Sequence, residues 1–223
     1  MRKNATASGE LFSELPQPEA ERVPLAEGAI LLRGFVANEA KTLWDAVTAI
    51  NAAAPFRHMT TPGGFRMSVA MTNCGDVGWV SDAKAYRYSP IDPETGNHWP
   101  EMPASFRQLA TGAAAAAEFD GFNPDACLIN RYEPGARLTL HQDKDEHDYS
   151  APIVSVSLGL PAVFLWGTIT RKDRPRRIRL ESGDVVVWGG PARKVYHGIA
   201  PLADGDHPLT GRYRINLTFR KAL

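Results

Sequence analysis

The chain has 223 residues, with 25 Lys and Arg balanced by 25 Asp and Glu, so global charge excludes a protein drawn to nucleic acid by net positive charge and leaves only a local basic patch. Hydrophobic residues at 43% and charged residues at 22% fit one packed domain rather than a disordered chain. No apolar run approaches the ~20 residues that span a bilayer, residues 1–16 lack the apolar stretch of a secretory signal, and Cys74 and Cys127 are too few for a disulfide framework. The expectation is a cytoplasmic protein that does not engage membranes.

Residues 1–22 are polar and aperiodic, and are read as a flexible N-terminal arm ahead of a single domain, 23–223. Residues 29–32 are apolar and bracketed by Gly28 and Gly34, which predicts a strand. Asn38 offers a helix cap, and Leu43, Val47 and Ile50 follow at helical spacing. Residues 55–100 read as irregular, rich in Gly, Pro, Met and aromatics. A second helix is predicted over 103–118, with Phe106, Leu109, Ala110 and Ala113 as its apolar face. The texture then changes. Segments 127–132, 137–143, 153–158, 162–166, 176–180, 185–188, 195–199 and 212–219 are short and alternating or β-branched, with Asn, Asp, Gly and Pro between them. Eight such strands predict an α+β protein: a β jelly roll over 122–220 with helices packed outside it.

Within the strand 137–143, His141 and Asp143 are two apart and share a face, so an imidazole and a carboxylate can grip one ion. His197, after the turn that follows Trp188, is the natural third ligand. Two His and one carboxylate leave open positions on an octahedral ion, the arrangement of non-haem Fe(II) oxygenases. On spacing alone the pair also fits a solvated strand edge, and His147 competes as a ligand. The last strand weighs toward chemistry. Arg214, Asn216, Thr218 and Arg220 alternate with apolar Ile215, Leu217 and Phe219, and two guanidiniums on one concave face suit carboxylates. Asn130 and Tyr132, also two apart, can add polar contacts.

HQDKDE (141–146), His197 and RINLTFR (214–220) together resemble the AlkB family of iron- and 2-oxoglutarate-dependent dioxygenases, which repair alkylated nucleic acid. TPGGFRMSVAMTNCG (61–75), YSPIDPETG (88–96), FNPDACLINRY (122–132), APIVSVSLGLPA (151–162) and GDVVVWGG (183–190) extend the resemblance from about Leu25 to Arg220. It implies a double-stranded β-helix in which His141, Asp143 and His197 bind Fe(II). It further implies that Arg214 and Tyr132 hold the C5 carboxylate of 2-oxoglutarate, with Asn130, Asn216 and Arg220 serving the rest of that cosubstrate. The implied reaction couples decarboxylation of 2-oxoglutarate by O2 to hydroxylation of a methyl group on a base nitrogen, which then leaves as formaldehyde. Zinc accepts the same ligands but brings no redox chemistry.

The stretch 55–100 supplies aromatics and Met on a Gly/Pro-rich scaffold, as a nucleotide-recognition lid would. Met67 belongs to that lid stretch, and by the family pattern Trp79 and His141 sandwich the base, Asp145 faces its exocyclic amine, and Thr61, Tyr86 and Arg171 touch the strand. Tyr88 and Trp99 read instead as aromatics sealing a small core. The run 171–179 holds six cations and one acid, a local patch for phosphates or a solvated basic face. His58, His98 and His207 match no ligand spacing. The expected substrate is 1-methyladenine or 3-methylcytosine in single-stranded DNA, extended to RNA and double-stranded DNA, acted on by a monomer. A hydroxylase of a protein or small molecule, and a jelly-roll binding module without iron, remain as rivals.

Overall fold

A computed structural model describes residues 21–223. The arm read over 1–22 lies outside the described residues except for Glu21 and Arg22, which begin strand β1 (Glu21–Ala26). Strand β2 (Ala29–Arg33) pairs back on it. Helix α1 (Ala40–Ala53) follows a 3-10 turn and buries Leu43, Val47 and Ile50, the stripe the spacing predicts; Glu39 rather than Asn38 occupies its N-cap position. Strands β3 (Ala70–Gly75), β4 (Gly78–Ser81) and β5 (Tyr86–Ser89) lie within the stretch read as irregular. Helix α2 (Ala104–Ala116) has Pro103 at its N-cap, where the missing N–H costs no helical hydrogen bond. Eight strands follow: β6 (Ala126–Tyr132), β7 (Leu138–His141), β8 (Ile153–Gly159), β9 (Ala162–Trp166), β10 (Arg176–Leu180), β11 (Val185–Trp188), β12 (His197–Ile199) and β13 (Arg214–Arg220).

Two antiparallel sheets face each other. The larger has the order β1-β2-β11-β8-β13-β6-β3 and the smaller β10-β9-β12-β7, while β4 and β5 form a separate hairpin. The alternation of β13 explains the layering. Ile215, Leu217 and Phe219 are fully buried against α1 and α2 with Val154, Val156 and Leu158 of β8, each such side chain stabilising by about 1.5–3 kcal/mol. Arg214, Asn216, Thr218 and Arg220 point the other way, into the space between the sheets. That second layer holds Leu31, Met71, Phe164, Trp166, Ile178 and Trp188. Strand β13 is thus central and covered on both faces, so its polar residues are inside the molecule.

The larger sheet recruits β1, β2 and β3 from before the predicted jelly-roll core. Strand β3 escapes pattern reading because all six of its residues are buried, including Thr72 and Asn73. Thr72 donates to the carbonyl of Ala54 at 2.6 Å, and Asn73 bonds both the N–H and the carbonyl of Trp79 at 3.0 Å. Cys74 and Cys127 oppose each other across β3 and β6 as buried free thiols, and burial pushes the Cys127 thiol well up. Among the described residues no helix is long and apolar enough to cross a membrane.

Candidate functional site

A cavity of about 400 Å³ opens between the two sheets, lined by His141, Asp143, His197, Asn130, Tyr132, Arg214, Asn216 and Arg220, and by Met67, Trp79, Tyr86, Asp145 and Arg171 of the predicted substrate side. Thr61 does not line it; its hydroxyl accepts the Phe65 N–H at 3.2 Å within a turn. His147 is exposed and belongs to no ligand cluster. His58 bonds the Met67 carbonyl through Nδ1 at 2.9 Å, and His207 pairs with Gly211, so both are structural.

Strand register builds the triad. His197 on β12 lies directly opposite His141 on β7, with ring centroids 4.5 Å apart. Gly198 allows this approach, since a Cβ there would sit 2.6 Å from the Leu138 carbonyl oxygen. One ligand atom from each of His141, Asp143 and His197 lies within 4.8 Å of the others. His141 Nδ1 is 2.9 Å from the Thr139 carbonyl and His197 Nδ1 3.1 Å from that of Val195. A carbonyl only accepts, so Nδ1 carries the proton and Nε2 keeps its lone pair for an ion. Burial, then the neighbouring His141, lowers His197 to about 4, which keeps it neutral at physiological pH.

Asp143 is prepared differently. Arg220 donates to its Oδ2 from Nη2 at 2.8 Å and from Nε at 3.2 Å. Burial raises the Asp143 carboxyl, but the Arg220 guanidinium outweighs that and holds it well below the usual carboxylate range. Its other oxygen, Oδ1, lies 3.7 Å from His141 Nε2, and an anionic oxygen beside two imidazole nitrogens is a donor set that suits Fe(II).

Arg214 has a different environment from Arg220. It is 1% exposed, Nη2 donates to Ser157 at 3.0 Å, and Nε and Nη1 have no hydrogen-bond partner in the protein. Such a buried cation calls for an anion, and its planar fork matches a carboxylate. The Tyr132 ring lies under the guanidinium at 4.9 Å, and burial pushes its phenol up to about 12, so it remains a donor. Asn216 is committed: it accepts from Asn130 and Thr218 and donates to Ser155 and the Val156 carbonyl. Asn130 keeps one unpartnered acceptor, Oδ1. The residues present therefore fit a divalent metal at one end of the cavity and a dicarboxylate reaching Arg214 at the other.

At the mouth, Trp79 stacks on Tyr86 with centroids 5.5 Å apart and planes 15° apart, and its Nε1 donates to Asp145 Oδ2 at 2.8 Å. Trp99 is buried and donates to the Ser89 carbonyl, the core role the sequence suggests, whereas the Tyr88 hydroxyl donates to Glu146 at 2.7 Å. Sequence reasoning missed Glu146 and Arg193, both buried. Glu146 follows the triad in an irregular segment where alternation gives no face, and Arg193 sits after a Gly-Pro turn with no motif around it. Their one signal is a pair of opposite charges close to the ligands in sequence.

Residues 28–220 match the family model of the 2OG-Fe(II) oxygenase superfamily. The chain is 59% identical over 199 residues to the alpha-ketoglutarate-dependent dioxygenase AlkB of Escherichia coli (strain K12), covering 89% of this chain and 92% of that protein. It is 46% identical over 183 residues to the AlkB homolog of Caulobacter vibrioides (strain NA1000 / CB15N), covering 82% and 81%. The solved structure of OsALKBH1 superposes with a TM-score of 0.80 at 29% identity, over 90% of this chain and 100% of that one. Ligands held by paired strands, an anion site at the far end of the same cavity and near-full-length similarity converge: the chain belongs to the 2OG-Fe(II) oxygenase superfamily, in its AlkB branch, and is a dioxygenase that uses iron(II) and 2-oxoglutarate.

Proposed function

We propose that this dioxygenase removes methyl groups from ring nitrogens of alkylated bases, of the 1-methyladenine and 3-methylcytosine type, in single-stranded DNA and in RNA, as a cytoplasmic monomer performing direct-reversal repair. The observation that carries the reading is the aromatic and acidic mouth of the cavity. Trp79 and Tyr86 give a flat base a stacking surface, and Asp145 offers a carboxylate to a cationic base and its exocyclic amine. The base must be unstacked to enter, which single-stranded substrate makes inexpensive.

In this reading His141, Asp143 and His197 hold the metal, and Arg214 with Tyr132 holds the far carboxylate of 2-oxoglutarate. Iron(II) with bound 2-oxoglutarate supplies the power to activate O2 and hydroxylate a methyl group. The protein does the positioning. Two carbonyls fix the imidazole tautomers, Arg220 keeps Asp143 ionised, and Arg214 sets the depth of the cosubstrate. Arg171 at the rim and the exposed cations Lys172, Arg174 and Arg177 beyond it give phosphates a local positive surface on a neutral chain.

Formaldehyde release from a 1-methyladenine oligonucleotide with Fe(II), 2-oxoglutarate and air tests the reading. Formaldehyde in proportion to methylated strand, none from the unmethylated strand and none with His141→Ala, is the expected result. Iron-dependent consumption of 2-oxoglutarate without formaldehyde from methylated DNA or RNA would contradict the substrate assignment while leaving the oxygenase chemistry in place.

A further inference from the structure

Glu146 joins three parts of the molecule. It is 5% exposed, and both its oxygens are engaged. Oε1 accepts from the Tyr88 hydroxyl at 2.7 Å and lies 3.3 Å from Arg220 Nε, while Oε2 accepts from Arg193 Nη2 at 3.1 Å. Tyr88 belongs to the hairpin β4–β5 that carries Trp79 and Tyr86 at the cavity mouth. Arg220 is the residue that grips Asp143 Oδ2. Arg193 precedes His197 by four positions and also donates to the carbonyls of Asp143, at 2.9 Å, and Ala151, at 3.1 Å. In such a buried array each link is stiff, and losing one partner leaves a charge uncompensated.

The geometry points to Glu146 as a positioning residue that couples the hairpin β4–β5 to the metal-ligand carboxylate, through the series Tyr88–Glu146–Arg220–Asp143. The inference rests on Asp143 being a metal ligand. With the hairpin down, Tyr88 and Arg193 both donate to Glu146, which shares Arg220 Nε with Asp143 while Arg220 Nη2 stays on Asp143. When the hairpin lifts, Glu146 loses a donor and competes with Asp143 for the Arg220 guanidinium. Coupling is reciprocal, so metal binding holds the hairpin down and an intact hairpin contact tightens the metal.

The test uses the full chain loaded with Mn(II) and 2-oxoglutarate, and compares wild type, Tyr88→Phe, Glu146→Gln and Arg87→Gln, the last altering β5 on an exposed residue whose side chain pairs, among the described residues, with half-exposed Asp82. Mn(II) affinity and amide hydrogen exchange over residues 78–89, with and without metal, are read. Tyr88→Phe and Glu146→Gln are expected to bind Mn(II) about five- to tenfold more weakly and to lose the metal-dependent protection of 78–89, with Arg87→Gln unchanged. A purely structural role would lower Tm and speed exchange equally with and without metal, at wild-type Mn(II) affinity; that result overturns the proposal. If Glu146→Gln does not fold, Tyr88→Phe, which removes one hydroxyl, decides alone. Failure of the wild type itself to take up Mn(II) would overturn the metal-site reading, and this proposal with it, a result distinct from wild-type binding with unaltered variants.

Discussion

His141 and His197 each spend Nδ1 on a backbone carbonyl, so the tautomer that binds metal is set before metal arrives. Replacing either by Ala removes a ligand from a set of three and is expected to abolish turnover. Arg214 gives a finer prediction. Its Nε and Nη1 are unpaired donors in the cavity lining, and Arg214→Lys keeps the charge but loses the fork. The KM for 2-oxoglutarate should rise about 10- to 100-fold, the worth of ~1.4–3 kcal/mol of charge-assisted hydrogen bonding, with a smaller effect on the KM for oligonucleotide. An unchanged KM for 2-oxoglutarate would place the dicarboxylate elsewhere. At this scale the sequence was informative where residues alternate on strands, as in β13, and uninformative in loops. Alternation places Arg214 and Arg220 on one face of β13, but their side-chain partners, Ser157 for the one and Asp143 and Glu146 for the other, come from distant segments that no spacing encodes.

The hairpin β4–β5 is held by unusually close contacts. A Cβ on Gly78 would lie 2.5 Å from the Trp99 ring and 2.7 Å from Asn73 Cβ. Asn73 in turn braces both backbone groups of Trp79. Gly78→Ala should therefore destabilise the fold by about 1–3 kcal/mol and displace Trp79. Steady-state kinetics are expected to show a higher KM for methylated oligonucleotide with the KM for 2-oxoglutarate nearly unchanged. Elements whose apolar residues recur at a fixed period, such as α1, α2 and β8, were legible because that period separates their apolar positions from the rest. Strand β3 was not, because it is buried on both sides, carries polar residues paired to backbone, and gains its place in the sheet from β6.

Over the whole molecule, pH and salt act through different groups. Between pH 6.5 and about 4 the unfolded chain protonates His197 while the folded chain does not, so the metal-free protein binds fewer protons than its unfolded form and loses stability as pH falls. The contribution is about 2 kcal/mol at pH 5, several degrees in Tm. Asp143 acts in the same direction at lower pH, because its carboxyl is held below the normal range and its stabilisation disappears as pH falls toward the folded value. Thermal melts of metal-free protein at pH 7 and 5 check this, and His197→Gln should show the smaller decline. Oligonucleotide binding should weaken with salt. Substituting Arg171, Lys172 and Arg174 with Ala should reduce the slope of log K against log[salt] by about 2, equally for methylated and unmethylated strands, as measured by fluorescence anisotropy.

The central claim is that His141, Asp143, His197 and Arg214 together seat iron(II) and 2-oxoglutarate in one cavity, and optical titration tests it most directly. Anaerobic addition of Fe(II) and 2-oxoglutarate to the metal-free chain should produce the visible charge-transfer band of the chelated cosubstrate. The band should be lost in His197→Ala and should need far more 2-oxoglutarate in Arg214→Lys. A band of full intensity in His197→Ala, or none in the wild type with both components in excess, would contradict the account.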